Sequence, residues 1–209
     1  MSVDLVPHTE ASDEAAVLHD RSRQLMQQVR LGDESAFREL VELHQDSVIG
    51  TCTRMLGSQN EAEDVAQLVF LRVWKAAPRY QPTARFTTWL FTIVRHLVFN
   101  ESRRRARRPT VSLDAPRHPE GAGDSGHWEW PDHRALPADS AAVHQELAAA
   151  IDRAIAALPE QQRLAITLRR YEELPYEEIA EILETTVPAV KSLLFRARTQ
   201  LRAHLQPLL

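Results

Sequence analysis

Cysteine and glycine are scarce: one Cys, Cys52, and 6 Gly against 12 Pro. A single cysteine cannot close an internal disulfide or build a thiolate metal cage, and it points to a reducing compartment. So few glycines argue against a glycine-rich β-barrel or a collagen-like fibre. No apolar stretch reaches the ~18 residues of a membrane span. The first residues, MSVDLVPHTEASDEAAVLHD, are acidic and lack an apolar run, so they read as neither a signal nor a transit peptide. The expectation is a soluble cytoplasmic protein without membrane insertion. Catalytic signatures are also lacking: there is no nucleophile elbow, no phosphate-cradling glycine loop and no HExxH. His118, His127 and His133, with Glu129 and Asp132, have no fixed ligand spacing and read as solvated side chains. Neither an enzyme, a metal nor a cofactor is expected.

What is present suits a folded chain of one or two domains: 209 residues, 44% hydrophobic and 26% charged. The net charge of −4 conceals a polarised distribution. Residues 1–22 and 109–145 each carry a net −4, and 146–209 carry −1, whereas 23–108 carry 14 bases against 9 acids. A basic segment between acidic ones fits a polyanion that touches only part of the chain.

Apolar spacing is helical on both sides of a stretch rich in Pro, Gly and Asp at 108–140, and no convincing alternation of period two occurs. The reading is an all-α protein of two small helical domains joined by a flexible acidic linker. An acidic, disordered extension is expected at 1–22, an N-terminal unit at 23–108, the linker at 109–140 and a C-terminal unit at 141–209. In the first unit, helices are expected at about 23–31 and from Asp33 to Met55. A third opens at the capping box Ser58-Gln59-Asn60-Glu61 and stops at Pro78. A fourth follows a 79–85 loop and ends in Arg103-Arg104-Arg105-Ala106-Arg107-Arg108. The C-terminal unit is expected to hold helices at about 141–157, 160–171, 175–184 and 187–204.

The last two helices have the layout of a helix-turn-helix, whose second helix can enter a DNA major groove. Thr186 caps that helix and Pro188 sits in its first turn. At 100° per residue Val190, Leu194, Ala197 and Leu201 face inward, while Pro188, Ser192, Phe195 and Thr199 face outward. Lys191, Arg196, Arg198 and Arg202 flank that face, with no acid between 191 and 202. Spacing alone fits a packed hairpin with a solvated basic face as well as a DNA reader. The arginine cluster at 103–108 exceeds what a helix macrodipole requires and favours phosphate. On the third helix, Asp64, Gln67, Leu68, Leu71 and Lys75 form a stripe away from the core face. It reads either as a docking surface or as packing beneath the 79–85 loop or the first helix. Tyr80 and Phe91 lie off the inward stripe and are candidates for stacking on unpaired bases.

These blocks together resemble the extracytoplasmic function (ECF) group of bacterial sigma factors. GDESAFRELVELHQDSVIGTCTRMLGSQNEAEDVAQLVFLRVW, followed by FTTWLFTIVRHLVFNESRRRAR, is similar to sigma region 2. LPEQQRLAITLRRYEELPYEEIAEILETTVPAVKSLLFRARTQL is similar to region 4. The resemblance implies a promoter-specificity subunit of RNA polymerase that supports DNA melting and transcription initiation. Its partners would be core polymerase (β′ clamp and β flap), promoter DNA, both duplex and melted, and an anti-sigma factor.

The resemblance also distributes the sites. Asp64, Gln67, Leu68, Leu71 and Lys75 would meet the polymerase. Arg79, Tyr80, Arg85, Phe91, Arg95, His96, Arg103, Arg104 and Arg105 would meet the −10 element. Pro188, Lys191, Ser192, Phe195, Arg196 and Thr199 would meet the −35 element. The chain departs from the family pattern at several places. His96 stands for an asparagine of the −10 pocket and Leu68 for a common glutamate. Leu193 stands for an arginine and Ala189 for a threonine. Glu184 stands for the usual turn glycine, which argues against a left-handed residue there. The competing reading is a helix-turn-helix regulator that acts on duplex DNA without polymerase, and the N-terminal stripe argues against it.

Overall fold

The computed structural model describes residues 9–107 and 149–206, with side chains described from residue 17 onward. Every element among them is a helix. The 109–140 linker and its histidines lie outside the described residues. The N-terminal unit comprises α1 (Thr9–Arg30), α2 (Glu34–Leu56), α3 (Gln59–Ala76), a 3₁₀ turn (Ala77–Arg79) and α4 (Phe86–Arg107). The C-terminal unit comprises α5 (described over 149–156), α6 (Glu160–Arg170), α7 (Tyr176–Leu183) and α8 (Val187–Leu205).

Local chemistry sets most boundaries. The Asp33 carboxylate caps α2 by accepting from the Ser35 and Ala36 amides at 2.8 and 3.0 Å. Such a cap stabilises a helix by about 1 kcal/mol. Gly57 ends α2 at φ 70°, where glycine carries no Cβ penalty, and its N–H closes on the Thr53 carbonyl. Thr186 caps α8 and Pro188 occupies its first turn.

Two expectations at helix starts are corrected. α1 begins at Thr9, not near Arg23, so much of the segment read as a disordered extension is helical. Its Ala- and Glu-rich composition supports helix without an apolar stripe, and the docked Leu25, Met26 and Val29 anchor the turns that follow. The Ser58 capping box does not form. The Ser58 side chain makes no cap bond, and Glu61 turns instead to pair with Arg105 of α4.

The core is continuous through both units. α3 buries Ala62, Val65, Ala66, Val69, Phe70 and Val73, the stripe that its periodicity marks. α4 is covered on more of its circumference than one stripe allows. Besides Phe86, Leu90, Val94 and Leu97 it buries Thr88, Phe91, Arg95 and Val98, because α7 packs along it. α2 likewise meets α6. Cys52 of α2 is fully enclosed, and burial pushes its thiol pKa up to about 12.

Candidate functional site

Three surfaces carry the polar chemistry. On α3, Asp64, Gln67, Leu68, Leu71 and Lys75 are all exposed and share one face. Leu68 and Leu71 keep 48% and 46% of their surface open to solvent. The packing alternative for this stripe is therefore absent: the two leucines are an apolar pair rimmed by an acid, an amide and a lysine.

On α8 the helical phase places Pro188, Lys191, Ser192, Phe195, Arg196 and Thr199 outward, all exposed. Val190, Leu194 and Ala197 are buried on the opposite side. Phe195 is 71% exposed, an uncommon position for a phenyl ring on a folded unit. The Ser192 and Thr199 hydroxyls donate to the Pro188 and Phe195 carbonyls at 3.1 and 3.0 Å. The turn before α8 departs from expectation. Glu184 adopts φ 53°, ψ 48°, the left-handed conformation that the missing glycine argued against. A residue with a Cβ is disfavoured there, so other contacts must hold it.

Those contacts lie on the third surface, the 79–85 loop and α4. The Arg95 guanidinium meets the Glu184 carboxylate at 2.5 Å, and His96 Nε2 lies 3.4 Å from the same oxygen. Arg95 also approaches the His96 ring nitrogen at 2.7 Å. Arg95, foremost by its hydrogen bond, holds the Glu184 carboxyl below the usual carboxylate range. Near the start of α4, Thr88 Oγ1 donates to Glu178 at 2.7 Å and Arg85 pairs with the same carboxylate at 3.3 Å. A third glutamate, Glu172, accepts from Ser47 and Thr51 of α2, and burial pushes its pKa up. Arg54 stacks over the neighbouring Tyr171 ring.

Several expected −10 residues are placed differently from the reading as a stacking surface. Tyr80 is buried, edge-on to Phe86 and Trp89, and burial raises its phenol pKa while Arg23 pulls it down. Phe91 is buried too. Neither ring is available to a base in this arrangement, because α4 is wrapped on the face that one-sided periodicity leaves open. Arg95 is likewise enclosed and paired. In the basic cluster, Arg105 turns inward to the Leu56 carbonyl at 2.7 Å and to Glu61. Arg104 makes a two-pronged contact with Glu101 at 2.7 Å for each bond. Arg79, Arg85, His96, Arg103 and Arg104 remain exposed. The contacts of Glu172, Glu178 and Glu184 are absent from the sequence-level reading, since no local spacing encodes partners about ninety residues away.

Among the described residues no group of three His, Cys, Asp or Glu side chains is gathered for a metal, and no helix is long and apolar enough to cross a membrane.

The two units coincide with two known sequence families. Sigma-70 region 2 matches residues 40–108 and sigma-70 region 4 matches residues 148–201. Over nearly its whole length the chain is 35% identical to the RNA polymerase sigma-H factor of Pseudomonas aeruginosa, covering 91% of this chain and 96% of that one. It is 36% identical to the ECF RNA polymerase sigma factor SigW of Bacillus subtilis, covering 88% and 96%. In architecture it is similar to CnrH, solved in complex with the cytosolic domain of CnrY. There the TM-score is 0.65 at 23% identity, over 90% of this chain and 99% of that one. It is also similar to the sigma factor RpoE of Bartonella quintana, solved with the anti-sigma factor NepR, at TM-score 0.60 and 22% identity over 81% and 96%. The chain belongs to the ECF group of RNA polymerase sigma factors, which are initiation factors rather than catalysts.

Proposed function

We propose that the chain divides promoter recognition between its two units, acting in the cytoplasm as part of the polymerase holoenzyme. The α3 face of Asp64, Gln67, Leu68, Leu71 and Lys75 docks on core polymerase. The exposed residues of the 79–85 loop, with His96 and Arg103–Arg104, approach the −10 element and its melted strand. α8 reads the −35 element through Lys191, Ser192, Phe195 and Arg196. The observation that carries this reading is the outward face of α8. An exposed phenyl ring beside Lys191 and Arg196 supplies an apolar contact for thymine methyls and charge for phosphate, on a helix of groove-entering length. An exposed apolar pair on α3, on the other unit, supports a separate protein-binding face. An anti-sigma factor is a further proposed partner, as for the Bartonella quintana RpoE.

The test is run-off transcription with purified core polymerase on a promoter library. Discrete transcripts that depend on this chain are expected. Duplex DNA binding by the chain alone, with no promoter-specific transcript, would favour a polymerase-independent regulator.

A further inference from the structure

α7 runs beside α4 in matched register. Glu178, near the start of α7, meets Arg85 and Thr88 at the start of α4. Glu184, just past the end of α7, meets Arg95 and His96 about two turns further along α4. Six residues separate the glutamates and seven separate Thr88 from Arg95. At 1.5 Å per residue these are advances of roughly 9 and 10 Å, so two parallel helices can satisfy both contacts at once. The acids point from the C-terminal unit, and the bases lie on the surface assigned above to −10 DNA. A carboxylate opposite an arginine makes the same charge-assisted hydrogen bonds as a phosphate. Glu184 holds its place in a backbone conformation that favours glycine, so its ion contacts oppose a local preference.

We propose that Glu178 and Glu184 form an internal clamp that closes the C-terminal unit over the −10-reading face of α4, so that the free chain occludes its own DNA site. This rests on the assignment of that face to the −10 element. One oxygen set on Arg95 and His96 cannot be a glutamate's and a nucleotide's together. Binding DNA there requires the clamp to open. Residues 108–148 join the units and, at about 3.4 Å per extended residue, are long enough to let them part. The apparent affinity of the free chain for melted −10 DNA is then reduced by the fraction of molecules that are open.

The experiment compares the full-length wild type with Glu178→Gln/Glu184→Gly. The glycine removes one acid while suiting the left-handed turn, so the C-terminal unit keeps its fold, which circular dichroism checks. Two quantities are measured without core polymerase. One is the radius of gyration by small-angle X-ray scattering. The other is affinity for a fluorescent single strand carrying the −10 sequence that wild type selects in run-off transcription. The variant is expected to be more extended and to bind the strand about tenfold more tightly, as when a population about one-tenth open becomes mostly open. Run-off activity at saturating core polymerase is expected to stay unchanged. An unchanged scattering profile overturns the clamp. Extension without tighter binding overturns the occlusion. If wild type selects no sequence with core polymerase, the promoter-recognition reading fails, and scattering alone still decides whether the glutamates hold the units together. If the double variant loses helicity, Glu184→Gln is read by the same measurements, since it keeps the side-chain length and removes only the charge.

Discussion

His44 couples the stability of the N-terminal unit to pH. Its ring is buried at 3% exposure between α1 and α4, tilted against Phe86, with Nε2 2.8 Å from Ser22 Oγ. The Ser22 hydroxyl spends its one proton on the Leu18 carbonyl at 2.7 Å, so the histidine donates through Nε2 and is neutral. Desolvation lowers its pKa from 6.5 to about 4. Above pH 6.5 the ring is neutral in both folded and unfolded chains, and its stabilisation is fully present. Between pH 6.5 and 4 only the unfolded chain takes up the proton, so stability falls with falling pH. The loss reaches about 1.4 kcal/mol at pH 5.5 and about 2.5 kcal/mol at pH 4.5. Glu172, with its raised pKa, acts in the opposite sense near its own titration, so a control is needed. Urea unfolding of wild type and His44→Gln at pH 7.5, 6.5, 5.5 and 4.5 isolates the histidine. Their stability difference should shift against wild type by those amounts as pH falls. A difference independent of pH, or an NMR titration of His44 near 6.5, would refute the burial argument.

The surface faces yield predictions of another kind. Leu68→Asp with Leu71→Asp should leave helicity intact, because both side chains are half exposed, yet abolish pull-down of core polymerase, where each carboxylate would be desolvated; wild-type pull-down would remove the docking assignment. Phe195→Ala should relax −35 preference at one or two positions by about 1–3 kcal/mol, with no change in thermal midpoint or in the salt dependence of binding. Equal loss on every −35 sequence would show that the ring does not read bases. Arg103→Ala with Arg104→Ala should lower the log–log salt slope of promoter binding by ~1 for each phosphate contact removed. An unchanged slope would leave those arginines as solvated residues.

The legible parts of the molecule are those governed by short-range periodicity. The phase of α8 follows from Val190, Leu194 and Ala197, and it puts Phe195 outward as the spacing predicts. The α3 stripes separate in the same way, and so do the stops at Gly57 and around Pro78. Periodicity fails where a helix is covered twice. α4 shows one apolar stripe in sequence, but α7 encloses a second side, so Phe91 and Arg95 are buried although their spacing points outward. Tyr80 fails for a related reason: a residue flanking a loop carries no phase, and its ring packs on Phe86 and Trp89. The Ser58 box misleads because Glu61 has a stronger partner in Arg105, forty-four residues on, which a four-residue motif cannot register. The departures at His96 and Glu184 are visible as isolated substitutions. That they meet each other is visible only in three dimensions.

Cys52 gives the protein an internal clock. It is the only thiol in the chain, it lies at zero exposure in α2, and its pKa of about 12 leaves almost no thiolate at neutral pH. An alkylating reagent can therefore reach it only when the N-terminal unit opens. Its modification rate, divided by that of a free thiol under the same conditions, reports the fraction of time the unit spends open. The same burial spares it from peroxide while the unit is folded. Cysteines introduced on α3 or α8 can therefore be labelled selectively, with the native residue left in place.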